Sequence, residues 1–352
     1  MFDYIIVGLG LSGLAVAEEL EKRGKKFIVF EDNSQSSSYV AGGIFNPVIL
    51  KRFTPAWNAA EQMKTALPFY EELEQKLHIK FIHNWNIYRR FHSAEEQNDW
   101  FLALDKPRLA PFLDPELKRN DNPNIIADYS FGKVLQTGNI DTGNLLDSYR
   151  QYLKDSDRLK VERFDYSKLD KQDDYFNYDG VKTKKIIFCE GFGLKKNPYF
   201  NYLPLRGNKG EYITIYSEDL KLDFAVKSSV FLMPMGNNLY KAGATYDHED
   251  KTPETTSKAR EKLVKDLKAL IRCDFDVVDQ EAGIRPAVAD RKPLVGPHPE
   301  IDNIYCCNGF GSRGVLIAPN MSKALLDYIE GSAELDPEID LNRFTKKHYV
   351  SN

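Results

Sequence analysis

The stretch that most constrains this chain is residues 3–32. An apolar tetrad at 4–7 runs into Gly8-Leu9-Gly10-Leu11-Ser12-Gly13, then a run of helical character at 14–23 ended by Gly24. A second apolar tetrad follows at 27–30, with Glu31 and Asp32 at its end. Short apolar runs bounded by glycine suit buried strands, and the order strand, glycine turn, helix, strand predicts a βαβ unit. Gly8 permits the tight turn, Gly10 leaves the backbone open to a pyrophosphate, and Gly13 lets helix and strand approach. The helix start offers unpaired N–H groups and about half a positive charge to phosphate. Glu31 stands 18 residues after Gly13, where an acid accepts hydrogen bonds from ribose hydroxyls and disfavours a 2′-phosphate. The dinucleotide this predicts is FAD or NAD rather than NADP.

A chain of 352 residues suits one large domain or two interleaved ones. Its net charge of −4 gives no general attraction to nucleic acid or anionic lipid. Lys51-Arg52, Arg89-Arg90 and the run 182–185 are the places where a local basic rim is expected, if anywhere. The four cysteines, at 189, 273, 306 and 307, form no Cys-x-x-Cys pair, and the six histidines show no ligand spacing, so no metal site is expected. Adjacent Cys306 and Cys307 are expected to face opposite sides of a strand, as reduced thiols of a cytoplasmic protein. The N-terminal apolar run lacks a basic leader, and no stretch reaches the 18 or so apolar residues of a membrane span.

Further along, a polar loop is expected at 34–38 and a glycine pair, Gly42-Gly43, packed against something flat. Helices are predicted over 56–77, where Pro68 kinks or divides the run, and over 95–104, with strands at 79–82 and 85–91. Residues 105–128, rich in Pro, Asp and Asn, read as loop. A helix over 143–154 with Asp141 or Thr142 as cap, and a strand at 160–164, come next. The run 185–193 repeats the N-terminal design, an apolar strand ending in small residues, which makes Gly191 a second cofactor contact. From 206 the pattern alternates. Strands at 211–216, 230–233 and 238–243, with a turn at Gly236-Asn-Asn, predict an antiparallel sheet beside a helix at 258–271. A strand at 304–307 then leads through Asn308-Gly-Phe-Gly-Ser-Arg-Gly-Val315 into a helix over 321–330, the third strand–glycine–helix arrangement.

Taken together, Val7-Gly-Leu-Gly-Leu-Ser-Gly13 with Glu31, Ala41-Gly-Gly43, Phe188-Cys-Glu-Gly191, Gly243-Ala-Thr245, Gly283-Ile-Arg-Pro286 and Gly309-Phe-Gly-Ser-Arg-Gly-Val-Leu316 carry a family resemblance. The chain resembles FAD-dependent amine oxidoreductases of the D-amino acid oxidase class, with glycine oxidase and sarcosine oxidase as relatives. The strings Gly283-Ile-Arg-Pro286 with Asp290-Arg-Lys-Pro-Leu-Val-Gly296, and Gly311-Ser-Arg-Gly314 with Ala318-Pro319, look most similar to one branch. That branch is the C-terminal oxidoreductase domain of the bifunctional tRNA 5-methylaminomethyl-2-thiouridine biosynthesis protein. The methyltransferase half of such a protein is not expected, since none precedes Met1.

The fold the resemblance implies is α/β: a discontinuous Rossmann-like FAD-binding domain (1–50, 138–200 and 279–352) with an inserted α+β substrate domain (51–137 and 201–278) on an antiparallel sheet. FAD would lie against residues 8–13, Glu31, Asp32, Gly42, Gly43, Gly191, Gly309, Gly311, Ser312, Arg313, Gly314 and Val315. In this family a neutral amine passes a hydride from its α-carbon to flavin N5 and the imine hydrolyses, so no general base is required. Arg285 matches the position that grips a substrate carboxylate, as a bidentate fork should; otherwise it pairs with Asp290 or Glu281. Arg313 either adds positive charge near the flavin or turns to the substrate, and Ser312 is a candidate helix cap. Tyr212, Tyr240 and Tyr246 are candidate pocket walls, of which Tyr240 and Tyr246 are taken as substrate-binding. No Cys lies near Gly283-Ile-Arg-Pro286, so non-covalent FAD is expected, unlike in sarcosine oxidases. Ile44-Phe-Asn-Pro47 departs from the polar residues of the tRNA-modifying branch.

The leading expectation is oxidation of the C–N bond of a small amino acid or N-substituted glycine, with oxygen or a quinone as electron acceptor. A tRNA wobble uridine is the alternative substrate, which the acidic net charge does not favour. A flavin-binding subunit without turnover is a third reading.

Overall fold

The computed structural model describes residues 1–350. The elements that frame its site are, in chain order, β1 (Phe2–Val7), α1 (Leu11–Lys22), β2 (Phe27–Phe30), α2 (Ser37–Val40), β3 (Ile87–Arg90), α3 (Ala94–Leu104), β4 (Leu113–Lys118), β5 (Phe131–Val134), β6 (Val181–Phe188), β7 (Asn208–Tyr216), β8 (Ala225–Lys227), β9 (Phe231–Gly236), β10 (Leu239–Gly243), α4 (Ser257–Lys268), β11 (Asp276–Arg285), β12 (Ile304–Asn308) and α5 (Gly314–Ile329).

β1 pairs in parallel with β2 on one side and β6 on the other, and β6 pairs in parallel with β12. Four strands therefore point their carboxyl ends the same way. Their apolar residues alternate between two cores. Tyr4, Ile6, Val29, Ile187 and Cys307 join the one that α1 and α5 cover, while Ile5, Val7, Ile28, Phe188 and Cys306 join the other. Cys306 and Cys307 thus face opposite sides, as their adjacency on a strand requires.

α1 starts at Leu11, three residues before the predicted start, so Gly13 lies inside its first turn. α5 likewise starts at Gly314 rather than 321 and runs through Pro319. Proline has no N–H for the carbonyl four residues back, here that of Val315. The Tyr70 hydroxyl donates to that carbonyl instead, at 2.9 Å in the buried interior. The helix Ala59–Leu77, which carries Tyr70, continues unbroken across Pro68. Asp141 caps the helix Thr142–Asp155 by accepting from the Asn144 N–H. The strand expected at 160–164 is only Leu159–Lys160, paired to β2. Phe164 turns inward instead and stacks on Tyr178 with ring centroids 4.1 Å apart.

The second sheet is ordered β11-β7-β10-β9-β8-β3-β5-β4, antiparallel except where β8 meets β3. One face (Ile213, Ile215, Leu232, Tyr240, Ala242) packs on Leu263 and Leu267 of α4. The other carries Tyr212, Met233, Ala225 and Ile87. The hairpin turn falls at Gly236, Asn237 and Asn238, all in the left-handed region. Two expectations are corrected here. Residues 105–128 are not all loop: β4 pairs with β5 at the sheet edge, with its register shifting between Leu113 and Leu117. An edge strand tolerates Pro115 and the charges beside it, which is why its composition reads as loop. The expected boundary at 279 also falls inside β11, which stays in the antiparallel sheet through Arg285 because it pairs with β7 as far as Asn208.

Candidate active site

The carboxyl ends of β1, β2, β6 and β12 meet at one edge, where ligands of parallel sheets bind. A side chain at Gly13 would put its Cβ 1.9 Å from the Gly8 carbonyl, and Gly8 itself has φ +96°. The two glycines therefore hold the start of α1 directly on the β1 turn. The opening and closing glycine segments are neighbours: the Ser12 hydroxyl donates to the Cys307 carbonyl at 2.6 Å, and Gly314 lies against Leu11. Glu31 is buried at the end of β2, one oxygen accepting from the Leu9 N–H and the other from the Asn33 N–H at 2.7 Å. Its neighbour Asp32 is exposed and accepts from the Ser34 N–H.

The residues present fit an extended dinucleotide. At Gly191 and Gly311 no protein atom lies within 4 Å of where a side chain would begin, so both segments border open space. Gly309 instead packs on Val288 and Leu294. Val315 is buried inside the first turn of α5. Ser312 is exposed and does not cap α5: the cap position is Arg313, with no side-chain bond. Arg313 leaves its buried Nη1 without a hydrogen-bond partner, and burial pushes the guanidinium down to about 10. A buried cation with an unused donor is a seat for an anion. The backbone of Glu190 lies beside Gly8, and its carboxyl accepts from Asn197 Nδ2 at 2.6 Å, meets the Tyr166 hydroxyl, and is pushed by burial up to about 7.

Arg285 closes the other half of the site. Its guanidinium occupies the space left by Gly210, whose Cβ would lie 2.0 Å from Nη2. It donates to Asn208 Oδ1 at 3.2 Å and the Thr245 carbonyl at 3.3 Å, and stands 4.7 Å from the centre of the exposed Tyr246 ring. All these partners are neutral. The expected alternative partners are engaged elsewhere, Asp290 with Arg343 at 2.9 Å and Glu281 with Lys241 at 2.8 Å. Among the described residues Arg285 has no carboxylate within ion-pair distance, so its fork is free to take one from a substrate. Tyr212 stands on the same face, its buried phenol pushed up by desolvation and drawn down by Arg285. Its ring fills the space that Gly243 leaves, and its hydroxyl and Met233 border Gly42. Gly43 packs on the Ile140 carbonyl.

Tyr240 does not line this site. On β10 it points to the opposite face, into the core under α4, where its hydroxyl accepts from the Leu222 N–H at 3.2 Å. Strand alternation puts residues 241 and 243, not 240, on the site face. Sequence reading also missed Ser38, whose hydroxyl accepts from the Leu11 N–H at 3.2 Å at the start of α1. It sits in α2, inside the run expected to be loop, and no local signal distinguishes it from the serines beside it.

A family model described as DAO, FAD dependent oxidoreductase, matches residues 3–328. The tRNA 5-methylaminomethyl-2-thiouridine biosynthesis bifunctional protein of Legionella pneumophila is 24% identical over 98% of this chain and 58% of its own length. The chain therefore spans little more than half of that relative. Glycine oxidase of Pseudomonas aeruginosa is 24% identical over 96% of each chain. Among solved structures, glycine oxidase from Geobacillus kaustophilus superposes with a TM-score of 0.79 at 19% identity, covering 99% of each chain. The one from Bacillus cereus gives 0.78 at 19% identity, over 95% of this chain and 96% of that one.

Proposed function

The chain belongs to the DAO family of FAD-dependent oxidoreductases, and on that premise we propose that it oxidises the C–N bond of a small amino acid or N-substituted glycine whose carboxylate Arg285 holds. The observation that carries the reading is a part-buried guanidinium with neutral partners only, on the sheet face that borders Gly42.

FAD, when bound, supplies the hydride acceptor. The residues that would hold it, without a covalent bond, are those of the first α1 turn with Ser38, Glu31 at the ribose, and the segments at Gly42, Gly191 and Gly311. Arg285 fixes the substrate carboxylate by a planar two-point contact, which sets the direction of the α-carbon C–H bond. Asn208 and the Thr245 carbonyl hold that guanidinium in place. Tyr246 covers it from outside, and Tyr212 walls the pocket from the sheet. Arg313 adds a second cation at the start of α5, where helix N–H groups and its own charge stabilise negative charge that develops nearby.

A second reading, an amine borne on a tRNA uridine, has one structural feature in its favour: the Lys227 cation, on the same sheet face as Tyr212.

Anaerobic mixing of the flavin-loaded protein with free amino acids and N-substituted glycines tests the reading. Bleaching of the flavin band by at least one is expected. Arg285→Ala should retain flavin and slow bleaching on the order of 100-fold or more. A wild-type protein bleached by none of them, or an Arg285→Ala protein bleached as fast, contradicts it.

A further inference from the structure

The direction of the Arg285 fork is set at one of its nitrogens. Nη1 donates to Asn208 Oδ1 at 3.2 Å and to the Thr245 carbonyl at 3.3 Å. A guanidinium only donates, so the Asn208 amide must turn its oxygen to Arg285 and its Nδ2 away. Asn208 is buried, and a buried amide nitrogen needs an acceptor of its own. The His248 imidazole supplies it, with Nδ1 at 3.0 Å and Nε2 at 3.2 Å from Asn208 Nδ2. Because Nδ2 only donates, the ring meets it with a nitrogen lone pair.

Backbone pairing brings His248 to that place. Beyond the end of β10 the chain turns back along the start of β7, and Asp247 exchanges two backbone hydrogen bonds with Lys209, each of 2.9 Å, in an antiparallel bridge. One residue outward from such a bridge, His248 stands opposite Asn208. Two lysines hold the loop in this register. The Lys251 ammonium donates to the His248 carbonyl at 2.6 Å and to the Gly207 carbonyl at 3.3 Å. Lys209, whose side chain is buried, donates to Asp250 at 2.5 Å and to the Thr252 hydroxyl at 3.3 Å. The same loop contributes the Thr245 carbonyl and the Tyr246 ring to the surround of Arg285. His248 itself is exposed, so the fold does not depend on its side chain for core packing.

We infer that His248 is a positioning residue for substrate binding: acting through the Asn208 amide, it holds the Arg285 fork in the direction that meets a substrate carboxylate. The inference rests on the proposed role of Arg285 and deepens it. Without the imidazole, water takes the Nδ2 hydrogen bond but does not fix the plane of the amide. Asn208 then turns about its Cβ–Cγ bond, and Arg285 loses a directed partner. A two-point contact is sensitive to such a loss, because both of its hydrogen bonds depend on the orientation of one plane.

Titration of the FAD-loaded protein with N-acetylglycine, followed by the flavin difference spectrum, tests this without turnover. His248→Ala should weaken binding roughly 3- to 10-fold, as loss of one neutral hydrogen bond does. His248→Gln, whose side-chain oxygen accepts from the same amide, should restore most of the affinity. In an Asn208→Ala background, His248→Ala should cost nothing more, because its effect passes through that amide. A merely structural role for His248 would show neither the rescue nor the dependence on Asn208. Equal affinity in His248→Ala, no rescue by His248→Gln, or an undiminished loss in the Asn208→Ala background overturns the inference. If the wild type binds and His248→Ala binds as tightly, this inference alone fails and the role of Arg285 stands. A wild type that does not bind N-acetylglycine sinks both.

Discussion

At the scale of single residues, the chemistry was legible where backbone geometry leaves one choice. Gly8 and Gly13 could be read from sequence because any side chain at 13 would meet a backbone oxygen that cannot move. Arg285 was legible as a cation at a family position, but not its freedom from carboxylates, since Asp290 and Glu281 are near in sequence and are taken by Arg343 and Lys241 in space. Glu190 was read only as part of a glycine segment, and its burial gives it a measurable signature. Its carboxyl is pushed from 4.5 up to about 7, so the folded protein binds a proton that the unfolded chain releases above 4.5. The stability it contributes is therefore full below about pH 4.5 and is lost as pH rises to about 7. His92 and His298, both held below their ordinary values, run the other way in part of that window. The comparison that isolates Glu190 is with Glu190→Gln. The stability difference, wild type minus variant, should fall by about 1.4 kcal/mol per pH unit between those limits and stay level outside them. Urea unfolding across pH measures it, and parallel curves for the two proteins would contradict the assignment.

At the scale of elements, the central strands were legible and the edges were not. β1, β2 and β12 are apolar runs covered on both faces, a pattern few other elements share. β4 is an edge strand of mixed polarity whose pairing depends on β5, with Leu113 opposite Val134 and Lys118 opposite Phe131. The start of α5 was misplaced because Pro319 argues locally against a helix. Its effect is offset by Tyr70, which lies 245 residues from the Val315 carbonyl it bonds, and no local pattern reveals this. That compensation predicts the cost of its loss. Tyr70→Phe keeps the ring and strands the buried Val315 carbonyl, which should lower stability by about 1–3 kcal/mol. Chemical denaturation should show this as a shifted midpoint with an unchanged slope, and an unshifted midpoint would mean that the carbonyl finds another partner.

At the scale of the whole molecule, the site exists because two sheets contribute unlike halves. The parallel sheet gathers its glycine turns at one edge, and this could be read because three segments repeat the same design. The antiparallel sheet supplies a face, and which residues share it depends on register. That is why Tyr240 was misplaced: the strand was recognised, but its phase relative to β7 and β9 is fixed by pairing across the sheet. No helix among the described residues is long and apolar enough to cross a membrane. The proposed function turns on Arg285 presenting a carboxylate to bound flavin. Its most direct test is the flavin difference spectrum of the loaded protein titrated with N-acetylglycine, which carries the carboxylate but no oxidisable amine. A saturable spectral shift that disappears in Arg285→Ala is the expected result. A wild-type spectrum that does not respond, or an Arg285→Ala spectrum that responds with the same affinity, would remove Arg285 from that role.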